Sequence, residues 1–273
     1  MKLSDLRSKQ DGFTLVELLA ALGIFLVICG AAFSLLGGSQ KQFKTESQLL
    51  NSFQEARLGL DQIVRDTNDA GYPPPSFVKA GSTQATASPF AWSPGPAACS
   101  IGTGGGGTCS SPGDFDLIIE TNPNPQDPSS QVQWIRYQLP LAGTTLMRGM
   151  VNKSSGSDPV SATASAMVPF VQNVVNNSSP AQIAQYQAYY PGMFPGGNPV
   201  PIFSYTCDNP SAPQPPSPPP PQSCPTLGAD NLPKNIRDVL VTLIVASPSP
   251  DATTGAPRIV QLSGRGRRMN PNQ

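Results

Sequence analysis

Histidine is absent from the 273 residues. That excludes Ser-His-Asp and Cys-His nucleophilic sites, and any zinc site that needs imidazole. Charge is scarce as well. Only 12% of residues are charged, about half the ~25% of an ordinary soluble domain. Seventeen basic residues meet seventeen acidic ones. The chain therefore lacks the basic excess of a general nucleic-acid binder. Enzyme signatures are missing too. The run Gly104-Gly105-Gly106-Gly107 lacks the Gly-Lys-Ser/Thr that completes a phosphate loop. No Gly-x-Ser-x-Gly occurs. No residue set implies a catalytic centre, a cofactor or a metal.

What is present is concentrated at the start. Residues 1–12 are short and polar, with Lys2, Arg7 and Lys9 against Asp5 and Asp11. From Phe13 to Leu36 only Thr14, Glu17 and Ser34 are polar. As a helix this run is roughly 36 Å long, enough for a ~30 Å hydrocarbon core. The basic leader stays in the cytoplasm by the positive-inside rule, which sends the C-terminal part across the membrane. Three export readings compete. A secretory signal needs a small-x-small cut after the apolar run, and Gly30-Ala31-Ala32 serves poorly. A lipoprotein signal needs a small residue before its cysteine, whereas Ile28 precedes Cys29. The third reading cuts before the apolar run, between Gly12 and Phe13.

Gly12-Phe13-Thr14-Leu15-Val16-Glu17-Leu18-Leu19 resembles the processing site of type IV prepilins and type II secretion pseudopilins. The resemblance implies cleavage after Gly12 by a membrane prepilin peptidase, methylation of the new amine on Phe13, and an assembly role for Glu17. Glu17 also has its own physics. A lone carboxylate in a membrane helix costs about 2.5–3.5 kcal/mol. The Phe13 amine of the same chain, or of a neighbouring subunit, would offset that cost. The resemblance implies the neighbour. Thr14-x-x-Glu17 also has the spacing of a capping box, in which Glu17 bonds backbone amides at the helix start. The two roles are compatible.

The helical pattern continues beyond the apolar run. Leu49, Phe53, Ala56, Leu60, Ile63/Val64 and Thr67 recur at spacings of three and four, one face of a helix. Polar residues including Gln62, Arg65 and Asp66 lie between and around them. The helix should stop near Asn68–Gly71, ahead of Pro73-Pro74-Pro75. Gly37-Gly38 is the weakest point for a bend or local melting. The face predicts packing on a sheet rather than a partner coiled coil.

After Tyr72 the chain reads as short strands among loops. The segments are Phe115–Glu120, Val132–Leu139, Thr144–Val151, Val168–Val175, Ile202–Thr206, Val239–Ala246 and Ile259–Leu262. They predict an antiparallel sheet covered by the helix face. Two segments resist assignment: Gly81–Pro112, and Asp208–Pro225 with its polyproline run Pro215–Pro221. They read as surface excursions; contact with another protein through such a loop is the alternative. Asp114 and Asp116 read as solvated strand-end acids. Arg258, Arg265, Arg267 and Arg268 read as a solvated basic end, with phosphate contacts to DNA as a weaker alternative.

Of five cysteines, Cys29 lies in the apolar helix as a small apolar side chain. Cys99, Cys109, Cys207 and Cys224 flank the two long loops. Export to an oxidising compartment favours disulfides, and four cysteines allow three connectivities. Pairing of neighbours, Cys99 with Cys109 and Cys207 with Cys224, is favoured because each pair brackets one loop. A four-cysteine zinc site is the alternative, without the usual close spacing.

The block Ala56–Asp61, with Arg65-Asp66 and Ala70-Gly71-Tyr72, is similar to PilW-type minor pilins. The Arg-rich ending also looks like the type II secretion subunit GspJ. Together these resemblances imply an α+β pilin fold: a leader over 1–12, a membrane and filament-core helix over 13–36, its amphipathic continuation over 37–71, and an exported β-rich head over 72–273 with long Gly/Pro-rich loops. They imply a bacterial inner-membrane precursor with a periplasmic head, later in a pilus at the cell surface. The implied partners are other pilins, prepilin peptidase, the inner-membrane assembly platform and membrane lipid, with no cofactor. The mid-helix proline of many major pilins is missing, which favours a minor subunit. A type II secretion pseudopilin and a membrane-anchored adhesin are the alternatives.

Overall fold

A computed structural model describes residues 12–73, 87–95, 99–102, 108–124, 127, 129–154, 156–208, 222–224, 231–251 and 254–269. The leader before Gly12, the glycine run Gly104–Gly107 and the polyproline run Pro215–Pro221 lie outside them. The chain divides into two compact units at Ser47 and Gln48.

One helix, α1 (Leu15–Asn68), opens the fold. It is helical through Gly37 and Gly38, where the sequence predicts the weakest point. Each glycine costs about 1 kcal/mol relative to alanine, and the i→i−4 ladder absorbs it. The end at Asn68 falls where the sequence places it, and Gly71 takes a positive φ of 77° just beyond.

The second unit holds two four-stranded antiparallel sheets, where the sequence predicts one. The first is a meander of β1 (Asp116–Thr121), β2 (Gln133–Gln138), β3 (Leu146–Asn152) and β4 (Val168–Val171). Two short helices interrupt the strands, α2 (Pro159–Thr163) and α3 (Pro180–Tyr189). The second sheet comprises β5 (Phe203–Cys207), β6 (Gln222–Ser223), β7 (Ile236–Pro250) and β8 (Pro257–Arg267), in the order β6-β5-β7-β8. The predicted strand over Val168–Val175 serves both sheets. After β4 the backbone turns at Asn173 (φ 58°), and Val174 bridges to Val245 of β7.

The predicted helix face covers this core. Ala56, Leu60 and Ile63 share one cluster with Leu117, Ile119 and Tyr137 of the first sheet, and with Phe203, Val241 and Leu243 of the second. Close approach to β8 depends on Gly264 and Gly266, two residues apart and so on one face of the strand. A Cβ at Gly266 would lie 2.5 Å from Cβ of Thr67, and one at Gly264 would lie 3.0 Å from methyl carbons of Leu60 and Val64.

A polar network pins the helix to the first sheet. Asp66, one of the polar residues between and around the apolar stripe, is buried. Its Oδ2 accepts from the Tyr137 hydroxyl at 2.6 Å and from Arg148 Nη2 at 3.0 Å. Its Oδ1 accepts from Gln62 Nε2 at 2.6 Å. Burial, and then the Asp66 carboxylate, push the Tyr137 hydroxyl far above its ordinary range, so it stays a donor.

The far face of the first sheet is also covered. Ala91, Ile118 and Trp134 form a cluster there with Val151, Val160 and Ala162 packed against it. Asp116, predicted to be solvated, is therefore buried. Arg136 donates to it from Nε at 3.0 and 3.2 Å and from Nη2 at 2.5 Å. Burial pushes the Asp116 carboxyl up to about 6 against the pull of Arg136. Glu120, four residues on, accepts from Trp134 Nε1 at 2.9 Å and pairs with Lys153 at 2.7 Å.

Candidate processing and assembly segment

Gly12, Phe13 and Thr14 precede the helix without regular structure. Thr14 and Glu17 make the capping box that their spacing predicts. The Thr14 backbone N–H donates to Glu17 Oε2 at 3.0 Å, and the Glu17 N–H donates to Thr14 Oγ1 at 3.3 Å. The Thr14 hydroxyl adds a bond to Glu17 Oε2 at 3.1 Å. The helix starts at Leu15 because these side chains satisfy backbone N–H groups that lack intrahelical partners. One Glu17 oxygen, Oε2, takes both bonds from Thr14.

The segment is open along its length. Phe13 is 88% exposed, and Leu15, Val16, Leu18 and Leu19 are all exposed. Further on, Phe25, Val27, Phe33 and Leu35 are exposed as well. Withdrawing each such side chain from water is worth about 1.5–3 kcal/mol. Such a surface calls for cover by lipid or by other protein. Among the described residues, one helix is long and apolar enough to cross a membrane, and it is this one. Cys29 is a free, partly covered thiol within it.

The other predicted site residues are distant in sequence and distinct in role. Cys99 pairs with Cys109 and Cys207 with Cys224, the neighbour connectivity. This leaves none of the four thiolates for a metal. The C-terminal arginines are not simply a solvated end. Arg258 pairs with Asp251 at 2.6 Å and Arg265 with Asp238 at 2.6 Å. The Arg268 side chain is 5% exposed and lies 3.5 Å from Asp208. Of the four, Arg267 alone matches the expectation of an exposed side chain without an ion pair among the described residues. Asp208 and Arg237 also join this group, without a sequence signal for it. Their meeting depends on the pairing of β5 with β7, which residue pattern alone does not encode.

A model of the prokaryotic N-terminal methylation motif matches residues 7–33. No curated protein matches the chain, and no solved structure matches it. The matched stretch spans the second half of the leader, the Gly12–Phe13 junction, the capped Glu17 and most of the exposed apolar run. The fold beyond it, a long N-terminal helix packed on antiparallel sheets, is consistent with a pilin fold. The motif and the apolar helix point to membrane anchoring and pilus-type assembly. The motif indicates a type IV pilin-like or pseudopilin protein, a substrate of prepilin peptidase that assembles with other pilins.

Proposed function

We propose that this chain is a minor type IV pilin of the PilW type, which takes part in priming pilus assembly at the filament tip. Prepilin peptidase cuts after Gly12, and Phe13 becomes the methylated N-terminus. The helix anchors the precursor in the inner membrane, with the head on the periplasmic side. On assembly the same apolar surface passes from lipid to neighbouring subunits. Glu17 then meets the Phe13 amine of a neighbour and sets axial register. The chain is a structural subunit and carries no motor; an ATPase of the assembly machine drives extraction.

One observation carries this reading. An acid held at the start of an uncovered apolar helix is the fifth residue after the Gly12–Phe13 junction, inside the matched methylation motif. The large head, with two sheets and disulfide-closed loops, supports an accessory subunit over a shaft subunit. The test has two parts. Mass analysis of protein from its native cell should find a chain starting at N-methylated Phe13. Deletion of the gene should abolish piliation and twitching. An N-terminus elsewhere sinks the processing reading. Normal pili with exoproteins retained in the periplasm would replace the minor pilin by a secretion pseudopilin. Intact filaments that no longer attach would replace it by an adhesin.

A further inference from the structure

The end of the second sheet carries a charge cluster that neither processing nor assembly uses. Arg237 lies at the start of β7, Arg267 ends β8, and Arg268 follows. The Arg268 backbone N–H donates to the Arg237 carbonyl at 3.0 Å, which holds the two side by side. Asp208 comes directly after β5, and its N–H donates to the Asn235 carbonyl at 2.8 Å. The neighbouring Cys207 is fixed by its bond to Cys224. Asp208, Arg237, Arg267, Arg268 and Met269 line an open cavity of about 430 Å³.

The charges in this cavity do not balance. Among the described residues that line it, three guanidinium groups meet one carboxylate. Arg237 Nη1 and Arg268 Nη2 each reach Asp208 at 3.5 Å, and the Asp208 side chain is 47% exposed. That distance is at the long limit for a hydrogen bond, so Asp208 compensates both arginines weakly. Arg268 is the least able to rely on solvent, with a side chain only 5% exposed. Its Nη1 also donates to the Lys234 carbonyl, which fixes the guanidinium plane. Burial and the adjacent Arg237 push the Arg268 guanidinium below its ordinary range, and Asp208 opposes them. The nearby Arg265 is already matched by Asp238 and adds no net charge.

We propose that this cavity binds a tetrahedral oxyanion of the phosphate class through Arg237, Arg267 and Arg268. The charge count selects the class. Three cations and Asp208 leave two positive charges, and a phosphate group carries about −1.5 to −2 at pH 7 with three acceptor oxygens. A second carboxylate brings one charge and would leave the cavity positive. Guanidinium forks suit phosphate oxygens two at a time. Arg267 lines the cavity as an exposed side chain, and Arg268 lines it with its guanidinium held by the Lys234 carbonyl.

The experiment uses the full chain in detergent at low ionic strength. Inorganic phosphate and phosphoserine are titrated in separate arms, with chloride at matched ionic strength as control, by calorimetry and thermal melting. Saturable binding is expected for at least one phosphate probe, together with a rise in melting temperature. Tighter binding of inorganic phosphate assigns a free ion, and tighter binding of phosphoserine assigns an esterified group. Arg267→Gln should weaken binding about tenfold, the loss of one charge-assisted contact. It should leave the unliganded melting temperature unchanged, because its side chain forms no ion pair among the described residues. Arg57→Gln, on the exposed side of α1, should change nothing. An equal response to chloride, or undiminished binding in Arg267→Gln, overturns the assignment. The outcome is independent of the N-terminal processing result.

Discussion

Replacing Glu17 by glutamine separates the two roles of that side chain. Glutamine is the same length and can still complete a Thr-x-x-Gln capping box. The bonds seen at 3.0 and 3.1 Å from Thr14 to Glu17 Oε2 would then end on an amide oxygen, and the helix would still start at Leu15. What glutamine cannot supply is negative charge. If Glu17 served only as a cap, the change would be nearly silent, and even alanine would cost about 1 kcal/mol, or fivefold. If Glu17 neutralises a neighbour's Phe13 amine in an apolar filament core, glutamine leaves that ammonium unpaired. Breaking a buried pair costs about 3–5 kcal/mol, more than a hundredfold in an assembly equilibrium. The measurement is the ratio of subunit in sheared filaments to subunit in membranes, by immunoblot, with mass analysis of the N-terminus as a control. We expect normal processing and near-complete loss from filaments for both Glu17→Gln and Glu17→Ala. Wild-type incorporation of Glu17→Gln would refute the charge argument and leave only the cap.

Two further predictions concern the head. Gly266→Ala places a methyl group 2.5 Å from Cβ of Thr67, and should lower stability by about 1–3 kcal/mol, read as an earlier midpoint in urea. An unchanged midpoint would mean that the helix does not lie on β8. Asp238 answers to pH. Burial raises its carboxyl, but Arg265 and Thr206 outweigh burial and hold it below the usual 3.8. The resulting stability is therefore present above 3.8 and lost as pH falls through the lower folded value. Arg265→Gln should flatten that part of the acid-unfolding curve; identical curves for variant and wild type would remove Arg265 as the cause.

Much of this fold was legible in the residues. All seven predicted strand segments overlap observed strands, because Gly, Pro and Asn punctuate runs of β-branched and aromatic residues. The helix stop at Asn68 was legible for a similar reason. The division into two sheets was not, since alternation says that a strand has a buried face and not which strand lies beside it. Helix α3 escaped notice although its signal was present. Ser179-Pro180-Ala181-Gln182 is a capping box with proline at the first helical position, hidden among loop-type residues. Asp116 was misread for a different reason. Acids at the edge of an apolar run suggest solvated strand ends, but β1 is buried at all six positions, Asp116 included. The second cover, α2 and the segment around Ala91, is recruited from residues far along the chain. At the N-terminus the Thr14–Glu17 cap was fully legible, being local. The arginine cavity was not, because Asp208 reaches Arg268 across 60 residues.

The flush seat of residues 48–68 on β8 has a mechanical consequence. The Arg267 N–H bonds Asn68 Oδ1 at 2.8 Å, and on the opposite flank the Gln172 N–H bonds Glu55 Oε1 at 2.8 Å. Between these ties, Thr67 and Leu60 sit in the gaps left by the two glycines like teeth in a rack. Tension along the helix axis would therefore load the sheet in shear, with many contacts sharing the force, rather than peeling them apart one by one.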